Sequence, residues 1–129
     1  MGRPRLLLID DEPALAAFVA TAADGCGYHS AVSENESDFR TRFASERPDV
    51  VALDLGMPGM DGVELLRFLA NQKFAGPVLI ISGFDRRVLE SAFRLGQALG
   101  LDMAGPLEKP TRLEELEAVL EMLKPRVGP

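Results

Sequence analysis

With a single cysteine, Cys26, the chain cannot close an internal disulfide. Long apolar runs are missing as well, and nothing approaches the roughly eighteen residues of a membrane-spanning helix. The opening Met1-Gly2-Arg3-Pro4-Arg5 leads into a short run, Leu6 to Ile9, that stops at two acids, too brief for the apolar core of a secretory signal. Basic charge is in deficit. Lys and Arg number 14 against 20 Asp and Glu, a net charge of −6, and they form no stripe suited to a phosphate backbone. Direct nucleic-acid binding and membrane insertion are therefore not expected, and the expected location is cytoplasmic. The lone histidine, His29, has no second metal ligand near it in sequence, so it reads as a surface or internally satisfied side chain, and Cys26 as structural. Gly56, Gly59 and Gly62 lack the spacing of a helix-opening phosphate loop, which argues against a nucleotide fingerprint.

What remains is an ordinary globular composition: 129 residues, 47% hydrophobic and 26% charged. One domain of this size buries roughly two thirds of its unfolded surface without covalent help. Residues 1–124 read as that domain and 125–129 as a tail or the start of a linker. Apolar runs of strand length alternate with segments of helical period, the pattern of βα repeats around a parallel sheet. The first helix starts near Pro13, carries Leu15, Phe18, Val19 and Ala22, and stops at Asp24-Gly25. Tyr28 to Val32 is a poorer strand. Ser33 and Glu36 have capping-box spacing ahead of a helix with Phe39 and Phe43, ended by Pro48. Asp49 to Asp54 returns to the sheet. Val63, Leu66 and Leu69 mark a third helix, and Val88, Ala92 and Leu95 a fourth. A last helix follows Pro110, with Thr111 and Glu114 as a capping box and Leu113, Leu116, Leu120 and Leu123 as its stripe.

The apolar runs end on chemistry. Leu6 to Ile9 stops at Asp10-Asp11, Val50 to Leu53 at Asp54, Val78 to Ile81 at Ser82, and a weaker run at Lys109. In an open parallel sheet the ligand crevice lies beyond the carboxyl ends of the strands, so these residues converge. Three aspartates drawn together repel strongly and stay ionised only with a cation among them. A divalent metal, helped by Lys109, is the inference. A single acidic pair after a strand is more often a turn or cap; it is the co-occurrence of the runs that carries the reading.

Asp10-Asp11-Glu12, the run Asp54-Leu55-Gly56-Met57-Pro58-Gly59-Met60-Asp61-Gly62, Ser82-Gly83 and Lys109-Pro110 resemble, in order and approximate spacing, the motifs of receiver domains of two-component response regulators. The resemblance covers nearly the whole chain. It implies a flavodoxin-like, doubly wound α/β domain with five helices and a five-stranded parallel sheet ordered 2-1-3-4-5. It also implies that Asp54 accepts a phosphoryl group from a sensor histidine kinase or phosphotransfer protein. An output domain or partner protein would read the result. The chain would be no enzyme beyond its own phosphorylation and dephosphorylation.

The residue types suit that chemistry. Phosphoryl transfer depends on in-line placement and on neutralising the equatorial oxygens. Mg²⁺ takes hard oxygen ligands and few carboxylates, so Asp11 and Asp54 would bind it directly, Asp10 through water, and the Gly56 carbonyl would complete the set. Lys109, the Ser82 hydroxyl and the Gly83 amide would hold phosphoryl oxygens. A cis bond between Lys109 and Pro110 would aim the ammonium inward. Phe84, flanking the acyl phosphate, would restrict water.

Two departures stand out. The common aromatic three residues before the lysine is Pro106 here, and the stretch Leu95 to Gly105 is longer than usual. Phe84 to Leu107 resembles, loosely, receivers attached to EAL-type cyclic-di-GMP phosphodiesterase domains, which suggests a cyclic-di-GMP-related output. The alternative function is a receiver-like interaction module that is never phosphorylated. A Mg²⁺-dependent phosphatase fits less well, since Leu55-Gly56 offers no acid two residues past Asp54 to protonate a leaving group. The Thr111 to Leu123 helix and its neighbour offer association surfaces, so a homodimer is among the expected partners.

Overall fold

The computed structural model describes residues 2–55, 62–83 and 86–126. Five strands, β1 (Arg5–Ile9), β2 (His29–Ser33), β3 (Val50–Asp54), β4 (Pro77–Ser82) and β5 (Asp102–Glu108), form one parallel sheet in the order β2-β1-β3-β4-β5. The connecting helices are α1 (Pro13–Gly25), α2 (Glu36–Glu46), α3 (Gly62–Asn71), α4 (Arg86–Ala98) and α5 (Leu113–Leu123), followed by a 3-10 turn over Lys124–Arg126. This is the doubly wound flavodoxin-like architecture expected from the sequence.

The strands read as unbroken apolar runs because both faces are covered. Leu6, Leu8, Val50 and Ala52 pack towards α1 and α5, while Leu7, Ile9, Val51 and Leu53 pack with residues of α2, α3 and α4. All five residues of β3 are buried. Phe43 anchors an aromatic cluster on the second face, edge-on to Phe68 at 5.4 Å and to Phe74 at 5.5 Å. On the first face the fully buried Tyr28 donates its hydroxyl to the Leu120 carbonyl at 2.8 Å, so burying the ring leaves no orphaned polar atom.

Several local expectations need correction. The α2 cap is Asn35, whose side chain accepts from the Asp38 amide at 2.8 Å, and not Ser33. Ser33 instead closes β2, paired with Ile9, because sheet pairing extends one residue further than the apolar pattern suggests. At α5 the N-cap is Arg112, and Thr111 turns its hydroxyl back to the Glu108 carbonyl at 2.9 Å. The helical stripes are also out of phase by about a residue in places. Val63, Val88 and Leu113 are exposed, while Leu65 and Leu89 are buried. Cys26 is buried and unbridged, and burial raises its thiol pKa, consistent with a packing role. His29 is exposed.

The β4–β5 edge is less regular. Leu79 pairs with Ala104 but Ile81 with Leu107, a bulge at Gly105 and Pro106. Gly105 has φ +87°, a left-handed value that a side chain resists.

Candidate functional site

Parallel pairing sets the strand ends level. Ile9 pairs with Leu53, Asp54 with Ile81 and Ser82 with Glu108, so Asp10, Asp54, Ser82 and Lys109 emerge at one edge of the sheet. Two backbone bonds fix the corners. The Asp10 amide donates to the Ser33 carbonyl at 3.1 Å, and the Lys109 amide to the Ser82 carbonyl at 3.0 Å. The Lys109–Pro110 peptide bond is cis, as is Gly105–Pro106, which the sequence did not suggest.

Lys109 is the centre of charge. Its ammonium donates to Asp54 Oδ2 at 2.8 Å and lies 3.4 Å from Glu12 Oε1 and 3.9 Å from Asp10 Oδ2. Burial works against the ammonium, but the hydrogen bond and charge of Asp54, with Asp10 and Glu12, outweigh it and raise its pKa. Asp10 is pushed up to about 6, chiefly by burial and then by the charge of Asp54, against the Glu12 amide and Lys109, which pull it down. That amide donates to Asp10 Oδ1 at 2.9 Å.

The residues fit a hard divalent cation. One carboxylate oxygen from each of Asp10, Asp11, Glu12 and Asp54 lies within 4.8 Å of the others, all of them oxygen donors. The four carboxylates share one ammonium, Lys109, within 4 Å of Asp10, Glu12 and Asp54. Ser82 is buried at the end of β4 and Gly83 is exposed just beyond it. Gly56 and Phe84 lie outside the described residues. Glu12 is the contact that sequence reasoning left without a role: it stood in the acidic run, but only the folded chain shows it reaching Lys109. A second groove, near Phe43, Lys73 and Phe74, lies at the opposite end of the strands, away from this chemistry.

A doubly wound sheet carrying clustered aspartates and a lysine at its carboxyl edge defines a receiver-type site. The chain belongs to the response regulator receiver domain family, whose model matches residues 6–121. It is 35% identical over 95% of its length to the transcriptional regulatory protein TrcR of Mycobacterium tuberculosis, covering 46% of that protein. It is 32% identical over 91% of its length to the KDP operon transcriptional regulatory protein KdpE of Escherichia coli, covering 49% of it. The chain thus spans about half the length of these curated relatives. Among solved structures, the receiver domain of the Francisella response regulator 1452 superposes with a TM-score of 0.76 at 28% identity, with 95% of this chain and 98% of that one covered. The chemotaxis response regulator CheY4 of Vibrio cholerae, at 21% identity with 94% and 98% of the two chains covered, shares the fold with a TM-score of 0.78. The chain is therefore a receiver domain of the two-component system. Among the described residues no helix is long and apolar enough to cross a membrane.

Proposed function

We propose that this receiver accepts a phosphoryl group on Asp54 from a sensor histidine kinase or phosphotransfer protein, with Mg²⁺, and that the modified domain switches an output partner. The observation that carries the reading is the Lys109 ammonium held at 2.8 Å from Asp54 Oδ2 inside a cluster of carboxylates. A carboxylate attacks phosphorus without losing a proton, so no general base is required. Asp54 is the nucleophile. Asp11 and Asp54, with Asp10 behind them, would hold a Mg²⁺ ion, which when bound would neutralise charge on the phosphoryl oxygens. Lys109 moves its hydrogen bond from Asp54 to a phosphoryl oxygen, and the Ser82 hydroxyl and Gly83 amide donate to another. The Gly56 carbonyl is retained as a metal ligand in this reading, and Phe84 as a barrier to water.

The relatives named as transcriptional regulators support an output in gene regulation, reached through a separate segment, more than a cyclic-di-GMP phosphodiesterase. MtrA of Mycolicibacterium smegmatis, 40% identical over 64% of this chain and matched over 36% of its own length, is named a DNA-binding response regulator. The receiver unit is taken as residues 1–124 and residues 125–129 as a tail or the start of a linker, a division supported by the end of α5 at Leu123. A cytoplasmic setting and a homodimer complete the reading.

Incubation with acetyl phosphate and Mg²⁺ should add the mass of one phosphoryl group, and Asp54→Asn should abolish the gain. The second reading, an interaction module that is never phosphorylated, draws on Pro106 at the position where an aromatic is common. No mass gain in a folded, Mg²⁺-saturated protein would favour it.

A further inference from the structure

Three carboxylates face the Lys109 ammonium, and they are not equivalent. The side chains of Asp54 and Asp10 are 3% and 2% exposed, whereas that of Glu12 is 64% exposed. Withdrawing either buried acid from the lysine would leave an uncompensated charge in the interior. Withdrawing Glu12 returns a carboxylate to water at little cost. Its backbone, meanwhile, is pinned. The Glu12 amide is bonded to Asp10 Oδ1, the residue occupies the N-cap of α1, and Pro13 follows it. The side chain alone is free to leave the ammonium, and it stands on the solvent side, lining an open groove of about 480 Å³ with Ala14, Leu15, Phe18, Lys109 and Pro110.

We infer that Glu12 selects among phosphoryl donors by charge, holding Lys109 at the mouth of the resting site and giving way to an incoming phosphoryl oxygen. The inference rests on the reading of Asp54 as the acceptor. One ammonium and one divalent cation fall a charge short of the carboxylates of Asp10, Asp11, Glu12 and Asp54. A small anionic donor therefore meets a site that still repels it, and Glu12 adds a repulsive charge on its path. In the transfer, an Asp54 oxygen forms a bond to phosphorus. With acetyl phosphate the bond from phosphorus to the bridging oxygen breaks and acetate leaves with the electron pair. With zwitterionic phosphoramidate the P–N bond breaks and ammonia leaves with its own protons. The two donors differ in net charge, dianionic against monoanionic near neutral pH. Glu12 accordingly penalises acetyl phosphate more than phosphoramidate.

The test is the phosphorylation rate of the whole chain with each donor at saturating Mg²⁺, followed by intact mass. Glu12→Gln should speed the acetyl phosphate reaction on the order of three- to ten-fold, the scale of removing one charge a few ångströms away in a partly hydrated site. The phosphoramidate rate should rise less, and added salt should narrow the gap. Glu12→Asp, which keeps the charge, should keep the wild-type ratio of the two rates. In Mg²⁺-free protein, the NMR resonances of the Lys109 side chain should move in Glu12→Gln while the backbone amide spectrum away from the site is retained. Equal changes with both donors, or none, would overturn the inference and leave Asp54 as the acceptor. A wild-type chain that takes phosphoryl from neither donor would remove the acceptor reading and this inference with it. If Glu12→Gln fails to fold, wild type decides alone: a ratio of acetyl phosphate to phosphoramidate rates that does not rise with ionic strength refutes the charge selection.

Discussion

The centre of the sheet and its β5 edge are built differently, although both contribute to the site. β3 is buried along its whole length, and β1 is buried from Leu6 to Ile9, each flanked by strands on both sides. β5 is a sheet edge with a bulge, a left-handed Gly105 and only Met103 and Ala104 buried within it, and α4 beside it buries only Leu89 and Gly96. Asp10 and Asp54 are thus mounted on a close-packed wall, while Lys109 is carried by the compliant one. If Asp54 is the phosphoryl acceptor, the less closely packed lysine side is the one expected to yield to the incoming group. Asp10 and Asp54, the proposed metal-holding and nucleophilic positions, follow paired central strands, whereas Lys109 follows the irregular edge strand.

Breaking the rigid side should have the largest effect. Leu53→Ala, at a fully buried position directly before Asp54, should cost about 2–5 kcal/mol in urea unfolding, since the close-packed centre cannot collapse around the cavity. A loss under about 1 kcal/mol would show that the centre is less tightly packed than described.

The next effect concerns the acids. Asp10 has a folded-state pKa of about 6 against an ordinary 3.8, so the folded chain binds more protons than the unfolded one between those values. Without Mg²⁺, stability is therefore highest below about pH 4 as far as this group is concerned, and is lost as pH rises through 6. Asp10→Asn keeps an oxygen for the Glu12 amide and removes the charge. It should stabilise the Mg²⁺-free protein at pH 7–8 by on the order of 1–3 kcal/mol and do little near pH 4. Thermal melts at both values check this, and an equal effect at each would mean that packing and not ionisation is responsible.

On the edge, Gly105→Ala should cost about 1–2 kcal/mol, because the left-handed backbone penalises a Cβ and the added methyl would sit 3.1 Å from the Ile80 carbonyl. Val88→Ala, 48% exposed on α4, should change stability by less than about 0.5 kcal/mol. Melting of the two variants sharpens the contrast: if Val88→Ala costs as much as Gly105→Ala, the outer face of α4 is covered by something in solution.

Much of this arrangement was legible in the sequence, and for a definite reason. Central parallel strands are covered on both faces, so they appear as uninterrupted apolar runs, and the residue that ends each run falls in the crevice. Asp10, Asp54 and Ser82 end such runs, whereas Lys109 follows the weaker run of the edge strand β5. Signals that rest on one side chain's local choice were less readable. Ser33 and Asn35 are both good caps, and only the extent of β2 pairing decides that Asn35 does the work. Val88 and Leu89 are equally plausible members of a helical stripe, and the docking angle of α4 buries the second. The β5 bulge depends on a register shift against β4 that no periodicity records. Glu12 was visible as an acid, but its contact with a lysine 97 positions away exists only in the fold.

The account stands most directly on the identity of the modified atom. Phosphorylated protein reduced with borohydride converts an aspartyl phosphate to homoserine, which peptide mass spectrometry then locates. The account predicts homoserine at position 54 alone, dependent on Mg²⁺; an unmodified Asp54, with the phosphoryl group on Asp10, Asp11 or Ser82, would contradict it.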